Sequence, residues 1–378
     1  MGLLCALRMF SMRFAGKWTI FRMRKGESMK PSRRDFVKIA MAGVPFSATL
    51  AEVAARAAVG TSVVDGVYLG VQTYSFHEIP YDGKDHTDDI IKDMLACGLY
   101  QCELLGPQIE GSGMIGMMLA IGGYERGRAV ATGTTPSATG PRSTGPNFVP
   151  MTEAQMRQAR AEELKWRLTV PVDYFRSIRK RFSDAGIGIY SYNFMYSSVD
   201  STDEEIDRSF EMAKALGAQA INVSTTMTML ERLAPFTEKH KFVIATHGHS
   251  AINDPEQFST RESFVKAFAL SKYIGANLDI GHYTASGEDP LEFIGTFHNR
   301  ITNIHVKDRK KDNGPNMEWG QGDTPIKDVL LLLKKKKYLN FNGVPIPVFI
   351  EYEYQGKSDP VTEVTKCYQF MKNTLTQG

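Results

Sequence analysis

Four short apolar runs in this chain end alike, each delivering an imidazole or a carboxylate where the run stops. They are Lys241-Phe242-Val243-Ile244-Ala245-Thr246-His247-Gly248-His249, Ala276-Asn277-Leu278-Asp279-Ile280-Gly281-His282, Ile301-Thr302-Asn303-Ile304-His305-Val306-Lys307-Asp308 and Val348-Phe349-Ile350-Glu351-Tyr352-Glu353. Side chains alternate faces along a strand. Asn277 therefore shares a face with Asp279, Asn303 with His305 and Lys307, and Glu351 with Glu353. Four strands that bring ionisable groups to one end need a common enclosure into which those ends open, and the carboxyl-terminal mouth of a barrel provides it.

The unit that carries these strands recurs as helix, glycine, apolar strand. Gly98, Gly186, Gly217 and Gly275 each stand between a helical pattern and a strand, where a left-handed residue closes a helix cheaply. Thr202 with Glu205 spells a capping box ahead of the stripe Ile206, Phe210 and Ala213. Val361, Val364, Tyr368, Met371 and Leu375 give the stripe of a final helix. Eight strands are expected, at residues 68–74, 99–105, 187–192, 218–223, 242–246, 276–280, 301–306 and 347–352. Strands alternating with helices pair in parallel, and eight such units over residues 61–378 predict an α/β fold, a single-domain (β/α)8 TIM barrel with its active site at the carboxyl ends of the strands. The alternative, an open doubly wound sheet, would call for a Gly-x-Gly-x-x-Gly turn after the first strand, and the chain has none there. A long insertion follows strand two. Residues 106–150 are rich in Gly, Thr, Ser and Pro but broken by the apolar run 114–121, so both a covering lid with a short helix and a flexible insertion stay open.

Residues 1–57 read as an extension and an export signal. Ser32-Arg33-Arg34-Asp35-Phe36-Val37-Lys38 resembles the twin-arginine motif, an alanine-rich apolar run follows, and Ala55-Arg56-Ala57 offers a small-x-small cleavage site; Met29 is the better initiator. Export to the periplasm is the expectation. No later run reaches the ~18 to 20 apolar residues that span a bilayer, so no membrane insertion is expected after cleavage. Cys97, Cys102 and Cys367 lack metal spacing and are expected as buried free thiols. A net charge of +3 argues against a dedicated nucleic-acid surface and leaves a small molecule as the expected partner.

With Thr246-His247-Gly248-His249, Leu278-Asp279-Ile280-Gly281-His282, Ile304-His305-Val306-Lys307-Asp308 and Ile350-Glu351-Tyr352-Glu353 in this order, the chain resembles the xylose-isomerase-like barrels of the sugar phosphate isomerase/epimerase superfamily, over nearly all of its length after Gly60. The resemblance implies one divalent ion held at the ends of strands five to eight. Asp279, His305 and Glu351 match its ligand positions, and His247 stands where the sugar epimerases place a catalytic glutamate. Two nitrogen and two oxygen donors suit manganese first, with cobalt, zinc or magnesium as alternatives. The implied reaction is isomerisation or epimerisation of a sugar or keto-sugar, by proton abstraction beside a carbonyl to an ene-diolate. Glu351, Glu353, Lys307, His249 and His282 are the candidate catalytic groups. Gln72, Tyr74, Glu103 and Asn193 end the first three strands and, with Trp319 in the loop 308–323, are candidate sugar contacts. Because His247 replaces one of two catalytic carboxylates, a keto-glycoside lyase or dehydratase is the alternative reaction. An endonuclease-like phosphodiesterase would want more ligands and a basic groove, and a non-catalytic carbohydrate-binding barrel is the third reading.

Overall fold

The computed structural model describes residues 9–14, 17–22, 61–111, 152–196 and 200–378. Contacts divide the chain into residues 1–53 and 54–378. In the first unit, Met9–Phe14 pairs antiparallel with Lys17–Arg22, Phe10 in register with Phe21 and Arg13 with Trp18. Aromatic and β-branched residues in this stretch favour such a hairpin. The twin-arginine motif, the cleavage tripeptide and the apolar run 114–121 lie outside the described residues.

In the second unit, β-branched and aromatic runs alternate with amphipathic helices. The strands are β1 (Val67–Gln72), β2 (Gln101–Leu105), β3 (Gly188–Asn193), β4 (Ala220–Val223), β5 (Val243–His247), β6 (Ile274–Asp279), β7 (Ile301–Val306) and β8 (Val348–Ile350). Each pairs in parallel with its neighbour, and β8 returns to β1 through Val348↔Leu69 and Ile350↔Val71, closing the barrel. The helices are α1 (Thr87–Cys97), α2 (Glu153–Thr169), α3 (Val172–Asp184), α4 (Asp203–Leu216), α5 (Met227–His240), α6 (Arg261–Leu270), α7 (Ile280–Ala285), α8 (Pro290–Phe297), α9 (Ile326–Lys336) and α10 (Pro360–Gln377). Their inner stripes, such as Phe175, Ile178 and Phe182 on α3 or Val364, Met371 and Leu375 on α10, are buried against the barrel. Each such side chain contributes about 1.5–3 kcal/mol of transfer free energy. No helix among the described residues is long and apolar enough to cross a membrane, and Cys97, Cys102 and Cys367 are buried free thiols.

Gly98, Gly186 and Gly217 take the left-handed conformation, with φ of 72°, 74° and 74°. Gly275 does not. It lies inside β6, where a Cβ would sit 2.9 Å from the Arg300 carbonyl oxygen, and α6 ends earlier, at Leu270. Close backbone approach, not helix termination, explains that glycine. The capping box at Thr202 is half formed: Thr202 Oγ1 accepts from the Glu205 amide at 3.2 Å, but the Glu205 carboxylate is drawn away by Arg160 and Arg167.

Candidate metal centre

Register brings the four strand ends together. His247 pairs with Asn277, and His305 pairs with Asp279 on one side and Phe349 on the other. Alternation then aims His247, Asp279, His305 and Glu351 into the mouth, where one ligating atom from each lies within 4.8 Å of the others and all four residues are buried. Lys307 enters the same cage: its Nζ lies 3.1 Å from Asp279 Oδ2, 2.8 Å from Glu351 Oε2 and 2.7 Å from Glu353 Oε2. Asp279 Oδ1 accepts the His282 amide at 2.6 Å and caps α7, so one oxygen of this carboxylate holds the backbone and the other faces the cage.

The electrostatics are those of a buried acidic cup. Burial pushes the Asp279 carboxyl up to about 7 against the pull of Lys307. Burial opposes Glu351 ionising too, yet Lys307 and His305 hold it well below the usual carboxylate range. His305 is raised to about 10, because Glu103 and Glu351 outweigh the burial that would lower it. Burial lowers His247, His249 and His282, which makes them neutral imidazoles. A divalent ion fits this donor set. His247 Nδ1 and His305 Nδ1 are buried without a hydrogen-bond partner, unusual for native polar atoms and natural for ligands.

Beneath the cage lies a polar layer centred on Glu103. Its Oε2 accepts from Asn303 Nδ2 at 3.2 Å, Asn277 Nδ2 at 3.4 Å, Ser191 Oγ at 3.3 Å and His305 Nε2 at 2.9 Å, and also from Asn222; Oε1 accepts from Asn193 at 3.0 Å. Glu103 was expected as a sugar contact. It is instead fully buried, its oxygens taken by the protein, and it supports His305 from behind. Trp319 departs from expectation as well. It is buried edge-on against Phe370 of α10, with ring centroids 5.8 Å apart. Gln72 is buried and accepts from the Tyr74 amide, while Tyr74 lies near the carboxylates, its phenol pushed up to about 12 by burial and then by Glu353 and Glu351. Asn193 keeps Oδ1 unpartnered.

His249 and His282 lie beside His247, with ring centroids 5.0 and 5.8 Å away. Glu353 stands at the edge of the cage, held by Lys307 and by Asn316 Nδ2 at 3.3 Å. Arg309 donates to His282 Nδ1 at 2.6 Å and to Ser250 Oγ at 2.8 Å. Its dibasic context resembles a solvated charge run, and its burial comes from the fold of the loop 308–323, which no local pattern signals.

A closed parallel barrel with a buried two-imidazole, two-carboxylate cluster at the carboxyl ends of β5 to β8 belongs to the class that can seat one divalent ion at its mouth. Residues 153–373 match the model of the family described as xylose isomerase-like TIM barrel, and the chain belongs to that family. An uncharacterized protein from Parabacteroides distasonis shares 21% identity with it, with a TM-score of 0.47, covering 82% of this chain and 99% of its own. A sugar phosphate isomerase/epimerase from the same organism shares 15% (TM-score 0.48; 82% and 98%). A xylose isomerase domain protein from Alicyclobacillus acidocaldarius shares 11% (TM-score 0.47; 76% and 93%). Identities this low carry no activity across. No curated protein matches the chain.

Proposed function

We propose that this protein is a divalent-metal-dependent enzyme of the isomerase/epimerase type, acting on an uncharged sugar or keto-sugar by removing a proton beside a carbonyl. The observation that carries the reading is the buried set His247, Asp279, His305 and Glu351 with the Glu353 carboxylate at its edge. When bound there, a divalent ion, manganese first, supplies positive charge to the oxygen beside the carbon that loses its proton. Glu353 is the base, aimed by the Lys307 ammonium at 2.7 Å. His249 and His282, as neutral imidazoles, hydrogen-bond substrate oxygens, and Tyr74, Gln72 and Asn193 line the sugar's approach. An uncharged substrate is favoured by the state of the nearby cations. Lys307 is spent on three carboxylates, Arg309 on His282 and Ser250, and Lys310 on Asp323.

Elimination from a keto-glycoside is the second reading, supported by His247 on β5. With an imidazole there, the carboxylates lie on one side of the site, and proton transfer from one face is what isomerisation through a single face or elimination requires. Incubating the manganese-loaded protein in D2O with neutral sugars, keto-sugars and 3-keto-glycosides tests both. Metal-dependent deuterium uptake at the acidic C–H is expected, with a new carbonyl position marking isomerisation and a released aglycone marking elimination. Binding without exchange would favour the non-catalytic barrel, and cleavage of abasic DNA would replace the reading with a phosphodiesterase.

Export is part of the proposal, supported by Arg33-Arg34, the apolar run after it and Ala55-Arg56-Ala57. The mature chain should begin near Ala58 by mass spectrometry. Normal export after Arg33→Lys/Arg34→Lys would refute it.

A further inference from the structure

Two imidazoles of the site are held from behind by groups of opposite charge. His305 Nε2 lies 2.9 Å from Glu103 Oε2. A carboxylate accepts, so Nε2 carries a hydrogen, and Nδ1, the atom 3.5 Å from Glu351, is the nitrogen turned to the cage. His282 Nδ1 lies 2.6 Å from Arg309 Nη1. A guanidinium can only donate, so here Nδ1 is the acceptor and the hydrogen sits on Nε2. Arg309 is not free to turn away. It is buried, and it also donates to Ser250 Oγ at 2.8 Å and, through Nη2, to the Gly314 carbonyl at 2.6 Å.

The distinction matters because His247, His249 and His282 also bring ligating atoms within 4.8 Å of one another, a grouping that on spacing alone could hold a second ion. A ligand needs a free lone pair on nitrogen. A neutral imidazole has one, and that of His282 is already taken by Arg309. We propose that Arg309 is a positioning residue: it locks His282 in the Nε2–H tautomer, bars a second metal ion from the three-imidazole cluster, and makes His282 a hydrogen-bond donor to an oxygen of the substrate. The opposite partners divide the labour, with Glu103 making His305 a ligand and Arg309 making His282 a donor. Only the last clause of the proposal rests on the sugar-enzyme reading. The tautomer and the number of ions do not.

Nitrogen-15 correlation spectra of the full chain labelled at histidine, with the His282 signal assigned by its loss in His282→Gln, read the tautomer directly. The wild type should show Nδ1 as the unprotonated nitrogen. Arg309→Lys, which keeps a donor, should preserve that pattern, and Arg309→Met should release Nδ1–H. Elemental analysis after equilibration with excess Zn²⁺ should find one ion per chain in the wild type and in Arg309→Lys, and rise toward two in Arg309→Met. Two ions in the wild type, or an Nδ1–H tautomer for its His282, overturns the proposal without recourse to any variant. Failure of the sugar-enzyme reading would appear separately, as no deuterium exchange by a protein whose tautomer and ion count are as stated.

Discussion

Lys307 puts an ammonium in contact with Asp279, Glu351 and Glu353, so a divalent ion entering the cage must displace or repel a cation already there. Burial alone would lower this lysine, and the three carboxylates raise it well above its ordinary value, so it stays charged. Lys307→Met should therefore tighten divalent binding, by about tenfold for a charge contact worth about 1.4 kcal/mol. Isothermal titration reads this, and an unchanged or weaker affinity contradicts it. Glu353→Gln should act differently, losing about 10²- to 10⁴-fold in turnover, the range of one general base, with the ion retained. Rapid deuterium exchange by that variant would show that the base is elsewhere. The four residues of the cage were legible in the sequence because strand alternation and strand ends are local properties. Depth was not legible. Glu103 shares the inward parity expected of it, but only the closed barrel places it under His305 rather than beside a sugar. Nor was Arg309, whose partners Ser250 and His282 come from other segments of the chain.

At the scale of elements, the strand count and the order of units were readable from periodicity, while the ends were set by tertiary contacts. β8 stops at Ile350 and β1 at Gln72, where a 3-10 turn at Thr73–Ser75 takes over and Ser75 Oγ donates to the Ile350 carbonyl at 3.2 Å. The barrel floor shows how closely two such elements meet. A Cβ on Gly70 of β1 would lie 2.4 Å from the Gln101 carbonyl oxygen and 2.6 Å from Phe349 Cδ1 of β8. Phe349 in turn packs against Tyr190 at 5.7 Å between ring centroids, so it has little room to retreat. Overpacking of this kind costs about 1–3 kcal/mol. Gly70→Ala should lower the urea midpoint accordingly, and an unchanged midpoint would mean that Phe349 moves aside freely.

For the barrel as a whole, a buried ion network ties the segments on either side of the long connection to the fourth helix. Arg167 of α2 meets Glu110 Oε2 at 2.7 Å, Glu163 Oε1 at 3.1 Å and Glu205 Oε1 of α4 at 2.7 Å, and Arg160 also bonds Glu163 and Glu205. Two of its carboxylates respond to pH with opposite signs. Burial would raise Glu205, but Arg167 and Arg160 prevail and lower it from 4.5. Its stabilisation is present above pH 4.5 and is lost as pH falls through the lower folded value. Burial raises Glu110 from 4.5 despite Arg167. Ionising it costs the folded state more than the unfolded one, so its penalty is absent below pH 4.5 and grows as pH rises toward the folded value. Glu205→Gln should therefore destabilise strongly at pH 7, by about 3–5 kcal/mol as for breaking a buried pair, and should flatten the loss of stability on the acid side. Glu110→Gln, which replaces a group that burial pushes toward its neutral form, should cost much less at pH 7 and reduce the decline above pH 4.5. Thermal unfolding of both variants between about pH 2.5 and pH 7.5 separates them. Parallel curves for the two would show that the network responds as one charge rather than as two groups set apart by their surroundings.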